Sequence, residues 1–146
     1  MTDFAWHVHH KVLVEPLTEP IENRIAYIRK DKPADEIELR LRLLKLVRGS
    51  LPAEYVEAAA EYARTGAKYK EGWAKYQATV ATDKEAWIKY LDAGSKLNAA
   101  GSKYRKTWVK YGPEIEALHA IECPDCPWTG HPGSIFGSKL AERFGR

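Results

Sequence analysis

The sequence predicts an α+β fold in three parts: a strand–helix–strand head over residues 1–49, a long heptad-repeat helix or helical hairpin over 50–118, and a Cys/His cap and tail over 119–146. Two short segments that alternate apolar and polar residues predict the strands. A seven-residue repeat of aromatic and small residues predicts the coiled-coil-like helix. A Cys-x-x-Cys spacing marks the cap.

The head alternates apolar and polar residues over 4–15 and again over 36–43. This period of two predicts one strand in each segment. Between them, Pro20 fits the first turn of a helix, and isoleucines at helical spacing predict a short helix that ends near Lys30. Because two strands and one short helix bury little surface, we expect a second copy or the long helix to complete or cover the sheet.

Ten consecutive heptads keep one phase between Pro52 and Leu118. Every seventh residue from Tyr55 is mostly tyrosine, whereas every seventh residue from Pro52 is mostly Trp, Gly or Ala. These two columns form a seam that packs against another helix. The unchanged phase favours one continuous helix, whereas the capping-box pattern at Thr82–Glu85 indicates a hairpin that breaks near Ala81. Both alternatives stay open.

Small residues flank the aromatic seam, so bulky rings of one helix can enter holes on another. Residues 53–83 carry a net charge of −1 and residues 84–110 a net charge of +5. Antiparallel copies would align these opposite charges, and we therefore expect the chain to form an antiparallel homo-oligomer with itself. The residues expected at that interface are Tyr62, Tyr69, Trp73, Tyr76, Trp87, Tyr90, Tyr104, Trp108 and Tyr111.

The basic half of the repeat suggests an alternative, a nucleic-acid-binding module. Several of its lysines have an acidic residue four positions earlier, a spacing that favours ion pairs within the helix. We therefore prefer a solvated charged face. The lysines of the nucleic-acid alternative are Lys89, Lys96, Lys103, Lys106 and Lys110.

The cap contains a candidate metal site at His119, Cys123, Cys126 and His131, spaced H-x3-C-x2-C-x4-H. Two thiolates and two imidazoles are ligands that zinc prefers, and four of them would close a tetrahedral site. The spacing therefore allows a zinc site but does not single it out. Two alternatives stay open: a redox-active cysteine pair, or two buried thiols in a proline-rich turn.

His7 and His9 lie on one face of the first predicted strand, and we expect this histidine pair to face solvent. A metal hydrolase is the enzymatic alternative, and it would need further ligands such as Glu15, Glu36 or Glu38. The sequence contains no phosphate-binding loop, nucleophile elbow or HExxH motif. We therefore expect a protein that is not an enzyme.

Three units, Trp73–Tyr76, Trp87–Tyr90 and Trp108–Tyr111, share a Trp-x-Lys-Tyr pattern, and a Cys-Pro-Asp-Cys-Pro-Trp motif ends at Trp128. Together they resemble a group of uncharacterised phage and bacterial proteins that carry variable numbers of Tyr/Trp heptads and end in Cys-Pro-x-Cys-Pro-Trp. The resemblance covers residues 35–128. It implies a phage or mobile-element context and a repeat number that changes, and it brings no activity and no catalytic residues.

Composition limits the remaining classes. The net charge is +3 and no apolar run approaches the roughly 18 residues that a membrane helix needs. Two cysteines fit a reducing compartment, so we expect a cytoplasmic protein. The sequence thus predicts a non-enzymatic, self-associating structural or interaction protein. The alternatives are the nucleic-acid-binding module and a phage-encoded inhibitor that docks on a protein partner.

Overall fold

The computed structural model describes residues 2–80, 82–131 and 133–136, and the predicted tail beyond Phe136 lies outside the described residues. The chain divides into two compact units. The mixed unit comprises the described parts of residues 1–50 and 117–146, and the hairpin unit is Leu51–Glu116. The elements in chain order are β1 (Phe4–Trp6), β2 (Val14–Pro16), α1 (Ile21–Asp31), α2 (Ala34–Leu43), β3 (Lys45–Leu46), α3 (Ala53–Ala78) and α4 (Lys84–Glu122).

The mixed unit contains a three-stranded antiparallel sheet in the order β2-β1-β3, so the predicted mixture of strands and helices is confirmed. In the central strand, Ala5 lies opposite Glu15 on one side and Leu46 on the other. The expectation that a second copy completes the sheet is wrong, because β3 of the same chain forms its third strand. The other alternative is that the long helix covers the sheet, and the end of α4 does contact β1: the Trp6 ring lies against His119, and Trp6 Nε1 donates to Glu122.

The single strand predicted over residues 4–15 is wrong, since the segment folds back on itself after Trp6. The main-chain N–H of His7 donates to the carbonyl oxygen of Leu13 at 2.9 Å, and Val12 donates to His9 at 3.1 Å inside the turn. His7 has a φ of 54°, a left-handed backbone that reverses the chain. The reversal pairs β1 with β2 on one side, and β3 supplies main-chain partners on the other.

The strand predicted over residues 36–43 is also wrong, because the segment forms α2. Leu, Glu and Arg are strong helix formers, whereas β-branched residues, which favour strands, are scarce here. The alternation arises because α2 packs into two separate hydrophobic clusters. Ile37 and Leu41 contact one cluster, while Leu39 and Leu43 belong to the other.

The short helix predicted after Pro20 is confirmed as α1. Its Ile28 is fully buried, and Ile21 and Ile25 pack against the same cluster, which also contains Ala5 of β1. This apolar stripe holds α1 and the central strand in one core.

The prediction of one continuous helix, which rests on the unchanged phase of the heptad repeat, is wrong, because α3 ends at Ala78 and α4 begins at Lys84. Ala81, near which the hairpin alternative places its break, lies outside the described residues. Val80 beside it has a left-handed φ of 57°. The Asp83 carboxylate accepts hydrogen bonds from two main-chain N–H groups in the first turn of α4, at 2.9 and 3.2 Å, and so caps this helix.

Within the hairpin unit the two columns of the repeat face each other. The tyrosine column of α3 lies against the Trp/Gly column of α4, and each step of seven forward along α3 matches a step of seven backward along α4. Contacts of this kind join Tyr62 with Gly101, Tyr69 with Gly94, and Tyr76 with Trp87. The unchanged phase is therefore compatible with a hairpin, because it places each column opposite the other.

Candidate metal centre

Four side chains of the mixed unit, His7, His119, Cys123 and Cys126, form a group that could hold a metal ion. Their ligand atoms all lie within 4.8 Å of one another. A tetrahedral zinc ion with bonds of about 2.0–2.3 Å holds its ligand atoms roughly 3.3–3.8 Å apart. The widest separation in the group therefore exceeds that geometry by only about 1 Å.

The end of α4 positions three of these side chains. His119 and Cys123 are four residues apart and so lie on one face of the helical backbone. The N–H of Cys123 donates to the His119 carbonyl oxygen at 2.7 Å, which extends the helical hydrogen bonding just past Glu122. The N–H of Cys126 then donates to the Cys123 carbonyl oxygen at 3.2 Å. This tight turn brings the second cysteine back toward the first.

The fourth side chain, His7, comes from the turn after β1. Its left-handed backbone directs the ring into the mixed unit, where the residue is only 5% exposed. The His7 Nε2 atom lies 3.0 Å from His119 Nε2 and 3.1 Å from the Sγ atom of Cys126. A non-glycine residue in this backbone region costs about 1–3 kcal/mol, and such strain tends to occur where a side chain has a defined task.

Burial favours the uncharged forms of these ligands. It lowers the pKa of His7 to about 4, and the positive charges of His119 and Lys45 act in the same direction. The His7 imidazole is therefore neutral near pH 7, which leaves a ring nitrogen free to bind a metal. The Nε2 atoms of His7 and His119 lie 3.0 Å apart, so either one of them carries a hydrogen or a cation lies between them.

Burial also raises the pKa of the Cys126 thiol to about 11. A main-chain hydrogen bond from Trp128 and the charge of Lys45 oppose this rise, while Cys123 adds to it. A bound divalent cation reverses this balance, because a coordinating thiol loses its proton. Metal binding at the group therefore releases protons.

Aromatic and aliphatic side chains surround the group. The ring of Trp6 contacts His119 with centroids 5.1 Å apart, and the ring of Trp128 lies 5.7 Å from His7. Cys123 also belongs to a buried cluster with Leu43, and the cluster includes residues that follow the cysteine turn. These neighbours limit the access of water to the ligand atoms.

Glu122 joins the end of α4 to the strands next to the candidate centre. Its carboxylate accepts hydrogen bonds from Trp6 Nε1 at 3.1 Å and from the main-chain N–H groups of Arg48 and Gly49 at 2.8 and 2.7 Å. Burial raises the pKa of Glu122, but these hydrogen bonds outweigh it, so the pKa lies below its usual value. The ionised carboxylate thus helps to place His119 and Cys123 beside β1.

The group differs from the ligand set expected from the local spacing. The structure brings His119, Cys123 and Cys126 together, but His131 is exposed and lies outside the group. His7 takes the fourth position, although it is 112 residues away from His119 in the chain. No local motif signals a ligand at that distance.

The prediction that His7 and His9 both face solvent is wrong, because His7 is buried and only His9 is exposed. His9 Nδ1 lies 2.7 Å from a carboxylate oxygen of Glu15. Glu36 is paired with an arginine, and Glu38 is exposed. None of the three glutamates of the hydrolase alternative lies in the metal-ligand group.

The aromatic residues expected at an oligomer interface contact one another inside the hairpin unit. The ring pairs, with centroid distances, are Tyr62–Tyr104 at 5.4 Å, Tyr69–Tyr90 at 4.9 Å, Trp73–Tyr90 at 5.1 Å, Tyr76–Trp87 at 4.9 Å and Tyr55–Trp108 at 6.0 Å. The Tyr111 hydroxyl donates a hydrogen bond to Glu54 of α3. The opposite charges expected to align between two copies align here between α3 and α4.

The lysines of the nucleic-acid alternative lie on the exposed side of α4. Lys89 and Lys96 pair with acidic residues of the same helix, at 3.4 and 3.0 Å. Lys103 and Lys110 pair with glutamates of α3, at 3.7 and 3.1 Å, and Lys106 is exposed. Ion pairing of four of these lysines weakens the alternative, because it partly neutralises the charge that would attract phosphates.

Comparisons with family models, with curated proteins and with solved structures gave no match to this chain. In the part of the chain that the structure describes, no helix is long and apolar enough to span a bilayer.

Proposed function

We propose that this chain is a non-enzymatic structural or interaction protein whose mixed unit is held together by a zinc ion. The observation that supports this proposal is the closed set of two histidines and two cysteines, with ligand atoms within 4.8 Å of one another. Four protein ligands fill a tetrahedral zinc ion and leave no position for a reactive water, which is the arrangement of structural sites. A catalytic zinc ion would keep one position open.

In this proposal the zinc ion cross-links two distant segments of the mixed unit. His7 belongs to the turn after β1, whereas His119, Cys123 and Cys126 belong to the end of α4. The strands contain only two or three residues each, so the sheet alone contributes little stability. Bonds from one ion to both segments close a long loop of the chain and add the free energy of metal binding to that of folding.

Metal content measured on substituted chains tests the proposal. The full chain, prepared with zinc and freed of loosely bound metal, should retain one zinc ion per molecule. His7→Ala should lose most of that zinc, because it removes a buried ligand. His131→Ala is the matched control and should retain as much zinc as the unsubstituted chain, since His131 is exposed and outside the group.

Two results would reject the zinc centre as described. One is an unsubstituted chain that holds no zinc under these conditions. The other is loss of zinc in His131→Ala with retention in His7→Ala, which would favour the ligand set expected from local spacing. Cobalt substitution adds a spectroscopic readout, because two thiolate ligands in a tetrahedral site give intense absorption bands that Cys126→Ser should weaken.

A second candidate function, self-association, is favoured by exposed apolar residues near the turn of the hairpin unit. Most seam rings are used within the chain, so the surface left for a second copy is the turn end. Five large apolar residues there are between 39% and 84% exposed: Trp73, Val80, Trp87, Ile88 and Leu91. Patches of this kind commonly mark interaction sites.

The oligomeric mass tests this second candidate. Ile88 and Leu91 lie three residues apart on one face of α4, so the double substitution Ile88→Ser, Leu91→Ser makes two of the five patch residues polar without removing a seam ring. Light scattering should show a lower mass for this variant than for the unsubstituted chain. Val109→Ser, which changes an even more exposed apolar residue of the same helix, should leave the mass unchanged. A monomeric unsubstituted chain would exclude the candidate.

A further inference from the structure

A second cluster of charged side chains lies in the mixed unit, on α1, on α2 and in the connection between them. It contains three cations, Arg24, Lys32 and Arg40, with the buried acid Glu36 among them. Glu36 accepts hydrogen bonds from Nη2 and Nε of Arg40, at 2.6 and 3.1 Å. The charge of Arg40 is therefore balanced, and that of the other two cations is not.

Arg24 is incompletely paired. Its Nε atom donates to the main-chain carbonyl oxygen of Val8 at 3.1 Å, which fixes the guanidinium group in place. Its Nη2 atom is buried and has no acceptor within hydrogen-bond distance. A guanidinium group carries five N–H donors, and leaving a buried one unpaired costs about 1–3 kcal/mol or more for a charged group.

Lys32 and Arg24 both lie against the ring of Tyr27. The Lys32 Nζ atom is 5.3 Å from the centroid of the Tyr27 ring, and the guanidinium carbon of Arg24 is 4.8 Å from the same centroid. Among the residues that the structure describes, neither Arg24 nor Lys32 forms an ion pair within 4.0 Å. Two cations thus lie against one aromatic ring, and neither forms an ion pair with a described carboxylate.

The electrostatic environment of Lys32 agrees with this geometry. Burial lowers the pKa of Lys32, and the charges of Arg40 and Arg24 lower it further. The acids Glu36 and Asp31 act in the opposite direction but do not reverse the shift. A negative group placed between Arg24 and Lys32 would remove this unfavourable balance.

We propose that Arg24 and Lys32 form a binding site for a phosphate-type oxyanion, a site separate from the metal centre and independent of the proposed function. A phosphate oxygen accepts from the guanidinium group of Arg24, whose own hydrogen bonding is incomplete. The planar guanidinium matches two oxygens of such an anion, and the ammonium group of Lys32 adds a second charge. The Tyr27 ring, which is 43% exposed, provides one wall of the site.

Titration of the zinc-loaded full chain with inorganic phosphate tests the site. The titration is made against chloride at constant ionic strength, and the Nε–Hε resonances of the arginines are followed by NMR. We expect the Arg24 resonance to shift with a saturable dependence on phosphate and a half-saturation below about 1 mM. Lys32→Gln should weaken binding at least about tenfold, because one of the two charges is lost.

Arg29→Gln is the matched control, since Arg29 is an exposed cation on the same helix as Arg24. It should leave the phosphate affinity within about twofold of the unsubstituted chain, because an exposed charge is largely screened. Arg24→Lys retains the charge but loses the two-pronged geometry, and it should bind phosphate more weakly than the unsubstituted chain.

Two outcomes would overturn the site. The Arg24 resonance could shift linearly with phosphate without saturating, or Arg29→Gln could weaken the response as much as Lys32→Gln. Both results would mean general charge screening rather than a built site. Lys32→Gln decides the matter if Arg24→Lys fails to fold, because the Lys32 ammonium group forms no hydrogen bond or ion pair with the residues that the structure describes. Its circular dichroism spectrum should match that of the unsubstituted chain.

Discussion

Two glycines of α4 determine how closely the helices of the hairpin unit approach. A Cβ atom on Gly101 would lie 3.2 Å from Cε1 of Tyr62, and one on Gly94 would lie 3.3 Å from Cε2 of Tyr69. Each glycine costs about 1 kcal/mol of helix propensity relative to alanine. The burial of a tyrosine ring against each of them offsets that cost.

The substitution Gly101→Leu should therefore destabilise the hairpin unit. A leucine side chain has no space beside the Tyr62 ring, so we expect the free energy of unfolding to fall by about 1–3 kcal/mol. Gly112→Leu is the control, because a Cβ atom added at Gly112 would meet no neighbouring atom of the described structure within 4 Å. Urea unfolding followed by far-UV circular dichroism measures both. Equal stability of the two variants would show that the glycines are not needed for close packing.

At the level of single residues, the local ligand spacing could be read from the sequence but the fourth ligand could not. His119, Cys123 and Cys126 fall within one helix end and the following turn, where spacing fixes proximity. His7 reaches them only through the left-handed turn after β1 and the docking of that turn on α4. The alternation of apolar and polar residues predicts one straight strand over residues 4–15. It therefore places the His7 side chain in solvent, whereas the residue is buried.

At the level of elements, two neighbouring residues at the start of α4, Thr82 and Asp83, have different hydrogen-bonding roles. The Asp83 carboxylate caps α4, whereas the Thr82 hydroxyl donates to the Thr79 carbonyl oxygen at 2.8 Å. Asp83→Ala should therefore lower the free energy of unfolding by about 1 kcal/mol. Thr82→Ala, measured by the same urea titration, should have a smaller effect. The reverse order would identify Thr82 as the capping residue.

The matched columns of α3 and α4 predict how the hairpin unit tolerates deletions. Removal of residues 63–69 together with 94–100 takes one heptad from each helix and leaves the remaining pairs opposite each other. Removal of residues 63–69 alone shifts the start of α3 by one heptad. That shift separates Tyr55 from Trp108 and Glu54 from the Lys110 ammonium group.

We expect the matched deletion to retain a cooperative thermal transition and the single deletion to lose at least about 2 kcal/mol of unfolding free energy. Circular dichroism at increasing temperature measures both variants. If the single deletion is as stable as the matched one, the pairing of columns is not what specifies the hairpin.

The sequence predicted some elements well and others wrongly for identifiable reasons. The isoleucine stripe of α1 has helical period and one buried face, so its pattern has one interpretation. The period of two in α2 has a different origin, because successive apolar residues enter two separate clusters. The repeat revealed a helix–helix seam, but its phase alone could not tell whether the partner lay in another chain or in the same one.

At the level of the whole molecule, the division into two units predicts a local effect of metal removal. Chelation should reduce the hydrogen-exchange protection of amides in residues 4–16, because His7 links this segment to the end of α4 in the proposed centre. Amides in residues 55–76 of the hairpin unit should keep most of their protection, since ring packing rather than a metal stabilises them. Exchange measured by NMR with and without chelator checks both. Uniform loss in the two segments would contradict this expectation.

The long separation between His7 and the other three candidate ligands also dictates an order of events during synthesis. His119 is added 112 residues after His7, a delay of roughly 6–22 s at ribosomal rates of about 5–20 residues per second. During that interval the chain contains His7 but not yet the other three candidate ligands, while α3 and most of α4 are synthesised. All four ligands of the proposed centre are therefore present only after the intervening helices have been synthesised, and zinc binding there would be one of the last steps in the maturation of the chain.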